Sequence, residues 1–286
     1  MLRTDIPGAW AAIRAALEAE LGEAISIDSL TATWNIAQRV AGHRHSADDV
    51  LTAAYAVERI AIAVAVVPRA GPVAACLDRV LDRVLDLGTG IGTVGLMVLS
   101  RLGPEARLVC VEVQPISHRL LLANIAGNSL AERVEPHLGD LRELALDRRF
   151  PLITGSPPYF PLGTGMLPED AQKAGARFEL RGDVADYARA AERHLADDGV
   201  FVFCFPTPQR ARALAAVAAA GLVVHAYRDV IPRETLRPLF TLFACRRAPA
   251  ELHVEPPLTI RYADGRLTDE MITIRRGFGF EPTGRE

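Results

Sequence analysis

The chain has 286 residues, half of them apolar and 23% charged, with a formal net charge of −3. At ~100–200 residues per domain this allows one large domain or two small ones, and the balance excludes the low-hydrophobicity, high-charge composition of disordered chains. The longest apolar runs, residues 60–67 and 213–224, are shorter than the ~20 residues of a membrane crossing. The N-terminus, MLRTDIPGAW, lacks the basic segment and apolar run of a secretory signal, so a cytoplasmic protein with no membrane partner is expected. The four cysteines, Cys76, Cys110, Cys204 and Cys245, are far apart with no C-x-x-C pair, which predicts free thiols and neither disulfide nor zinc site.

In chain order, Trp10, Ile13, Leu17 and Leu21 recur at helical spacing and predict an amphipathic helix over residues 8–21. Residues 26–42 mix strand-like and turn-like features. Ser46 with Asp49 three residues on makes a helix N-terminus for residues 50–67, closed by Pro68, Gly71 and Pro72. From about residue 81 to 247, short apolar or β-branched runs alternate with amphipathic segments, the βαβ pattern of a parallel sheet covered by helices. Seven strands are expected, over 83–87, 107–113, 133–138, 152–154, 199–205, 222–229 and 239–246, with helices over 92–101, 116–126, 183–196 and 208–220. No helical pattern joins the last two strands, which predicts an antiparallel hairpin there. The expected organisation is a cap of residues 1–72, a catalytic domain of residues 73–255 and a tail of residues 256–286 that packs on the domain. The sequence carries no signal for an oligomeric state.

The segment VLDLGTGIGTVGL (residues 84–96) joins an apolar strand carrying Asp86 to a helix through a loop with Gly88, Gly90 and Gly92. Glycines let a backbone turn sharply and approach a ligand where any Cβ would clash. Dinucleotide-binding loops share this logic with the spacing G-x-G-x-x-G, whereas the spacing here is G-x-G-x-G. Read with Asp86, it resembles motif I of class I S-adenosyl-L-methionine (SAM) methyltransferases, and a nicotinamide oxidoreductase is the weaker reading. Glu112 ends the next strand, where a carboxylate can accept from both ribose hydroxyls. Asp140, in LGDL after the third strand, fits the acidic residue that the methyltransferase resemblance places near the adenine amino group.

The fourth strand runs into GSPPYF (residues 155–160). Alone, SPPY is a proline-stiffened turn, but it stands at the carboxyl end of a central strand, where open α/β sheets place ligands. It resembles motif IV, [N/D/S]-P-P-[Y/F/W], of amino-group methyltransferases. An exocyclic amino nitrogen has a delocalised lone pair, so both its N–H bonds must be held before it can attack. The Ser156 oxygen and the Pro157 carbonyl are the expected acceptors, Pro158 stiffens the turn, and Tyr159 is expected to stack on the planar target. Direct attack on a sulfonium methyl forms no covalent intermediate and calls for no strong base, so proximity and preorganised polar groups carry the rate.

The resemblance extends further. GHRHSADDVLTAA (residues 42–54) is similar to the G-[YF]-R-F-S-x-D-x-x-L-L-A segment of the bacterial tRNA adenine-N6 methyltransferases that act on valine tRNA, with Gly42, Arg44, Ser46, Asp48 and Leu51 in matching places. The resemblance implies that Arg44 and Ser46 belong to the cofactor site. SPPYF is followed, as in that family, by Ala176, Arg177 and Glu179, and the tail PPLTIRYADGRLTDEM (residues 256–271) is similar to the family's terminal strand and helix. Ser156 stands where the family has Asn, and Phe178 where His is common. The implied protein is an α/β, Rossmann-like class I methyltransferase with a seven-stranded, mostly parallel sheet, an antiparallel C-terminal hairpin and an N-terminal helical and hairpin cap. Its cofactor is SAM and its acceptor adenine N6 in tRNA; the alternatives are a small amino-bearing metabolite, a peptide or a protein glutamine amide, and, outside enzymes, a SAM-binding scaffold. His43 and His45 form an H-x-H without further ligands at metal spacing, so no metal is expected. The arginine pairs 148/149, 210/212 and 246/247 are read as solvated surface.

Overall fold

The structure, a computed structural model, describes residues 8–66 and 82–281. The expected close of the second helix at 67–72, the boundary at 72/73 and Cys76 lie outside these residues. The chain opens with α1 (Gly8–Leu21), a hairpin of β1 (Ile25–Ser29) and β2 (Asn35–Arg39), and α2 (Ala47–Val66). The sheet domain follows as β3 (Arg83–Leu87), α3 (Thr93–Leu99), β4 (Arg107–Glu112), α4 (Pro115–Gly127), β5 (Val134–Leu138) and β6 (Phe150–Gly155). It continues with α5 (Ala171–Arg177), α6 (Val184–His194), β7 (Leu195–Pro206), α7 (Arg210–Ala219), β8 (Val223–Ile231), β9 (Phe240–Arg246), β10 (His253–Thr259) and α8 (Asp269–Gly277).

The main sheet has the order β10-β8-β9-β7-β6-β3-β4-β5. Strands β5, β4, β3, β6 and β7 are parallel to one another, β9 is antiparallel to both β7 and β8, and β10 is parallel to β8. The sheet therefore has eight strands rather than the seven expected. The eighth, β10, falls in the tail that resembles the family's terminal strand and helix but was not among the seven; its Pro256 and Pro257 cannot donate to a ladder. An edge strand tolerates them, and β10 shifts register between Glu255 and Leu258, where both prolines fall.

Strand β7 shows how both faces are filled. Its period of two sends Phe201, Phe203 and Phe205 to one face, where Phe203 stacks on Phe243 of β9 with centroids 4.8 Å apart and packs under α6 and α7. Val200, Val202 and Cys204 point to the opposite face, into the core shared with α2, α3 and α4. Near-continuous apolar strands such as RLVCVE suit a parallel sheet buried on both faces. Cys110, Cys204 and Cys245 are buried.

The N-terminal segment is docked rather than appended. Trp10 of α1 lies so close to Gly127 of α4 that a Cβ there would sit 2.5 Å from its ring. Two asparagines one helical turn apart on α4 act as a surrogate strand for β2. Asn124 Oδ1 accepts from Ala37 N at 2.7 Å and Asn128 Oδ1 from Asn35 N at 2.9 Å, while their amides return bonds to the Ala37 and Asn35 carbonyls. Asn124 also donates to the Ile91 carbonyl in the glycine loop at 2.9 Å. Asn124→Ala leaves one buried donor and two carbonyls without these partners, so it is expected to cost about 2–4 kcal/mol, measured by denaturant unfolding, and to loosen the hairpin from the loop together.

Candidate active site

The strand order reverses around β3, whose neighbours are β4 and β6, and crevices form at the carboxyl ends of strands at such a point. The glycine loop after β3 and the SPPY turn after β6 open into one cleft of ≈ 970 Å³, counted to its open mouth. Within the loop, Gly88, Gly90 and Gly92 have φ of 60°, 58° and 96°, a region L-residues rarely adopt. Only Gly90 has open space where a Cβ would stand. Gly88 is covered by the Tyr187 hydroxyl, and Gly92 packs under Leu121 and starts α3.

Asp86 is 1% exposed and acts inward. Its Oδ2 accepts from Thr89 Oγ1 and from Gly95 N (3.1 Å), and its Oδ1 from Thr154 Oγ1 at 2.6 Å. It thus ties the loop, α3 and β6 together at the cleft floor. Glu112 accepts from Gln114 N at 2.7 Å on Oε1 and from Gly90 N at 2.9 Å on Oε2, and the Val113 N–H also acts on its carboxylate. Burial raises both carboxyls above their ordinary range, against the pull of these donors. An acid-lined cleft with a Cβ-free loop suits SAM, which carries cationic sulfur and an ammonium group: the backbone at Gly90 is open to the cleft and Glu112 lines it.

The other expected cofactor residues lie differently. Asp140 is turned to Arg142, which donates to both of its oxygens, and this pairing lowers its pKa; its neighbours Gly139 and Leu141 line the cleft. Arg44 points to the hairpin, donating to Ser26 Oγ at 2.8 Å and Asp28 Oδ2 at 2.9 Å. The Ser46 hydroxyl bonds Asp48.

At the SPPY turn, Ser156 and Pro158 line the cleft. No described group donates to the Pro157 carbonyl. The Ser156 hydroxyl lies 3.7 Å from the Cys204 thiol, and the Tyr159 hydroxyl donates to Asp48 Oδ2 at 2.9 Å while its ring meets Phe205 edge-on. The A-R-F-E segment runs beside the turn: Phe160 N donates to the Arg177 carbonyl and Glu179 N to the Phe160 carbonyl, with Phe178 buried against Phe160.

Residues not anticipated from the sequence complete the site. Tyr187 of α6 stands over Gly88 and Gly155, both of which lack the Cβ that would strike its ring. Gln172 of α5 links the loop after β2 to α4, accepting from His43 N and Arg39 and donating to Ser117 Oγ. Asp49, together with His43 and His45 of the H-x-H already noted, brings the N-terminal segment into the cleft lining. Nothing in the spacing of Tyr187 or Gln172 marks them; only the pairing of Gly88 and Gly155 against one ring could have pointed to Tyr187. Among the described residues no cluster is placed to hold a metal ion, and no helix is long and apolar enough to cross a membrane.

Comparisons with known proteins agree with this geometry. Residues 73–155 match the family model of the TRM5/TYW2 methyltransferase domain. The tRNA1(Val) (adenine(37)-N6)-methyltransferase of Actinobacillus pleuropneumoniae serotype 7 (strain AP76) is 24% identical over 196 residues, 67% of this chain and 80% of that protein. The protein of the same name from Porphyromonas gingivalis (strain ATCC BAA-308 / W83) is 33% identical over 109 residues, 36% of this chain and 38% of the relative. The fold is shared with a solved structure, the predicted O-methyltransferase Atu636 from Agrobacterium tumefaciens, at a TM-score of 0.56 and 18% identity, covering 83% of this chain and 99% of that one. Glycine loop, buried cleft glutamate, SPPY turn and these likenesses lead to one conclusion: the chain is a class I SAM-dependent methyltransferase that resembles the tRNA1(Val) adenine-N6 methyltransferases.

Proposed function

We propose that the enzyme methylates an exocyclic amino nitrogen, adenine N6 in tRNA, in the cytoplasm, with residues 1–72 forming a cap over the cleft of residues 73–255 and residues 256–286 packing on that domain. The observation that carries the reading is the opening of Ser156 and the SPPY turn into the cleft that holds Gly90 and Glu112. Bound SAM supplies an electrophilic methyl group on a cationic sulfur. The chain's part is to hold the two amino N–H bonds on Ser156 Oγ and the Pro157 carbonyl, so that the nitrogen lone pair faces that carbon, and to keep Asp86 and Glu112 in register beneath it. In this reading Asp140 contributes at the adenine end, Arg44 and Ser46 through the hairpin and the start of α2, and Gly88 and Gly92 by shaping the loop.

Charge placement supports a nucleic-acid acceptor despite the net charge of −3. Arg148, Arg210, Arg212 and Arg247 are all in ion pairs with acidic side chains. Lys173, Arg177 and Arg181 near the cleft, and Arg233 and Arg237 in the β8–β9 loop on the same edge of the sheet, are in none among the described residues, and all but Lys173 are exposed. Unpaired cations around a catalytic edge position a phosphate backbone.

Transfer of a labelled methyl group from SAM to an unmodified tRNA transcript, followed by nucleoside digestion and mass analysis, tests the reading. N6-methyladenosine is the expected product, and an unlabelled transcript with label in a small-molecule, peptide or protein extract offered in parallel would overturn it. In the same assay Ser156→Ala is expected to lower kcat about 10–100-fold while the SAM Kd stays within about threefold, because the lost bond is made to the acceptor and not to the cofactor.

A further inference from the structure

The first turn of α2 carries two adjacent carboxylates that the structure uses differently. Asp48 is occupied on both oxygens, by the Ser46 hydroxyl on Oδ1 and by the Tyr159 hydroxyl on Oδ2. Asp49 accepts only the Ser46 backbone N–H, at 2.9 Å on Oδ2, and no described group donates to its Oδ1. Its side chain lines the cleft with Ser156, Gly88 and Glu112. The other cleft carboxylates have a protein donor on every oxygen: Asp86 from Thr89, Gly95 and Thr154, Glu112 from Gln114 and Gly90.

We propose that Asp49 is a catalytic residue, whose free carboxylate oxygen shares the acceptor N–H held by Ser156 Oγ and takes that proton on methylation. The inference rests on the amino-group reading above. It also supplies what the Ser156 position lacks, since a serine oxygen stands closer to its own backbone than the amide oxygen of an asparagine does.

The balance of the step is simple. The nitrogen lone pair forms the new N–CH3 bond while the electron pair of the broken S–CH3 bond stays on sulfur. The nitrogen then carries the positive charge and gives up one N–H proton, its bonding pair remaining on nitrogen. Asp49 accepts that proton and returns it to water at the mouth of the cleft. The neighbouring hydroxyls and thiol cannot take its place: burial raises the Tyr159 and Tyr187 hydroxyls and pushes the Cys204 thiol up to about 12, so all three keep their protons.

Burial, with the charges of Asp48 and Asp86, holds the Asp49 carboxyl well above the ordinary range, against the Ser46 N–H. His43 and His45 from the preceding loop, Glu112 from β4 and Arg181 face the same space. A raised carboxyl is a better base near neutral pH than an ordinary one. Below its raised pKa Asp49 is protonated and cannot accept, so the rate must fall as pH drops through a window above the usual carboxylate range.

The test uses the full chain with SAM and an unmodified tRNA transcript. Asp49→Asn keeps an oxygen for the Ser46 N–H, so the start of α2 survives. It is expected to lower kcat about 10–100-fold and to remove the acid limb of the kcat profile, with the SAM Kd changed by less than about threefold, while Asp49→Glu restores part of the rate and the limb. A carboxyl-13C NMR titration without acceptor provides the readout independent of turnover: among the carboxyls titrating above the ordinary range in the wild type, which include Asp86 and Glu112, one signal is expected to be absent from Asp49→Asn. Wild-type kcat and acid limb in Asp49→Asn, or an Asp49 signal titrating in the ordinary range, would overturn the proposal. Failure of the wild type to methylate tRNA would overturn the acceptor reading instead, and the NMR titration would still decide for or against Asp49.

Discussion

Gly88→Ala is expected to raise the SAM Kd by at least about 100-fold and to destabilise the fold by about 2–4 kcal/mol, read by calorimetric titration and thermal melting. Two costs combine. The backbone at Gly88 has φ of 60°, where a Cβ costs roughly 1–2 kcal/mol. That Cβ would also stand 1.8 Å from the Tyr187 hydroxyl and 2.8 Å from its ring carbon Cζ. Tyr187 cannot swing aside, because its ring is held against Gly155, where a Cβ would come within 2.9 Å. Either the loop or α6 must move, and both line the cleft. Gly90→Ala provides the contrast: its φ of 58° is similar, but its Cβ would meet nothing within 4 Å. It should lose less stability than Gly88→Ala and still weaken SAM, because the space its methyl enters is the ligand's. Equal loss of stability in the two variants would show that backbone strain alone decides the outcome and that the Tyr187 contact is unimportant.

The difference between those glycines marks how far the sequence could be read. Three glycines after an apolar strand announce a close-packed loop, since few other roles require them, but which glycine faces the ligand depends on Tyr187, 99 residues after Gly88. Seven strands were legible because each is a short apolar run bounded by turn residues. The eighth, β10, was visible only through the family likeness of residues 256–271, because Pro256 and Pro257 are compatible with a strand only at an edge, and edge status belongs to the assembled sheet. SPPYF and the A-R-F-E segment were both visible, yet the two-way bonding between Phe160 and residues 177–179 that joins them is a tertiary fact. Charged residues were the hardest to place. Asp140 and Arg142 stand two apart and satisfy each other, Arg44 finds Asp28 across the hairpin, and Asp49 differs from Asp48 only in which hydroxyls reach it. Side-chain direction at a loop or a helix start is set by such partners and not by local pattern.

Asp86→Ala is expected to be the most destabilising single change at the site, costing about 3–5 kcal/mol and lowering Tm by roughly 10 °C. The substitution strands the Thr89 hydroxyl, the Gly95 N–H and the Thr154 hydroxyl at a position 1% exposed, and three segments lose their common anchor. Gly95 has no side chain where a Cβ would lie 2.9 Å from Asp86 Oδ2, so α3 is built around this carboxylate and cannot collapse onto an alanine without shifting. Asp86→Asn separates geometry from charge. Its carbonyl can take the Oδ2 role, and the Thr154 hydroxyl can rotate to accept from the amide. The loss should then be under about 2 kcal/mol. The pH dependence carries a sign as well. Burial raises the Asp86 pKa in the folded protein, so between the ordinary carboxylate value and that raised value the folded state binds more protons than the unfolded one, and stability falls as pH rises through the window. Asp86→Asn should lack that contribution to the slope. Because every Asp86 oxygen is turned to the protein, folded Asp86→Asn should bind SAM within about tenfold of the wild type. Loss of SAM binding with Tm unchanged would instead make Asp86 a direct contact of the cofactor.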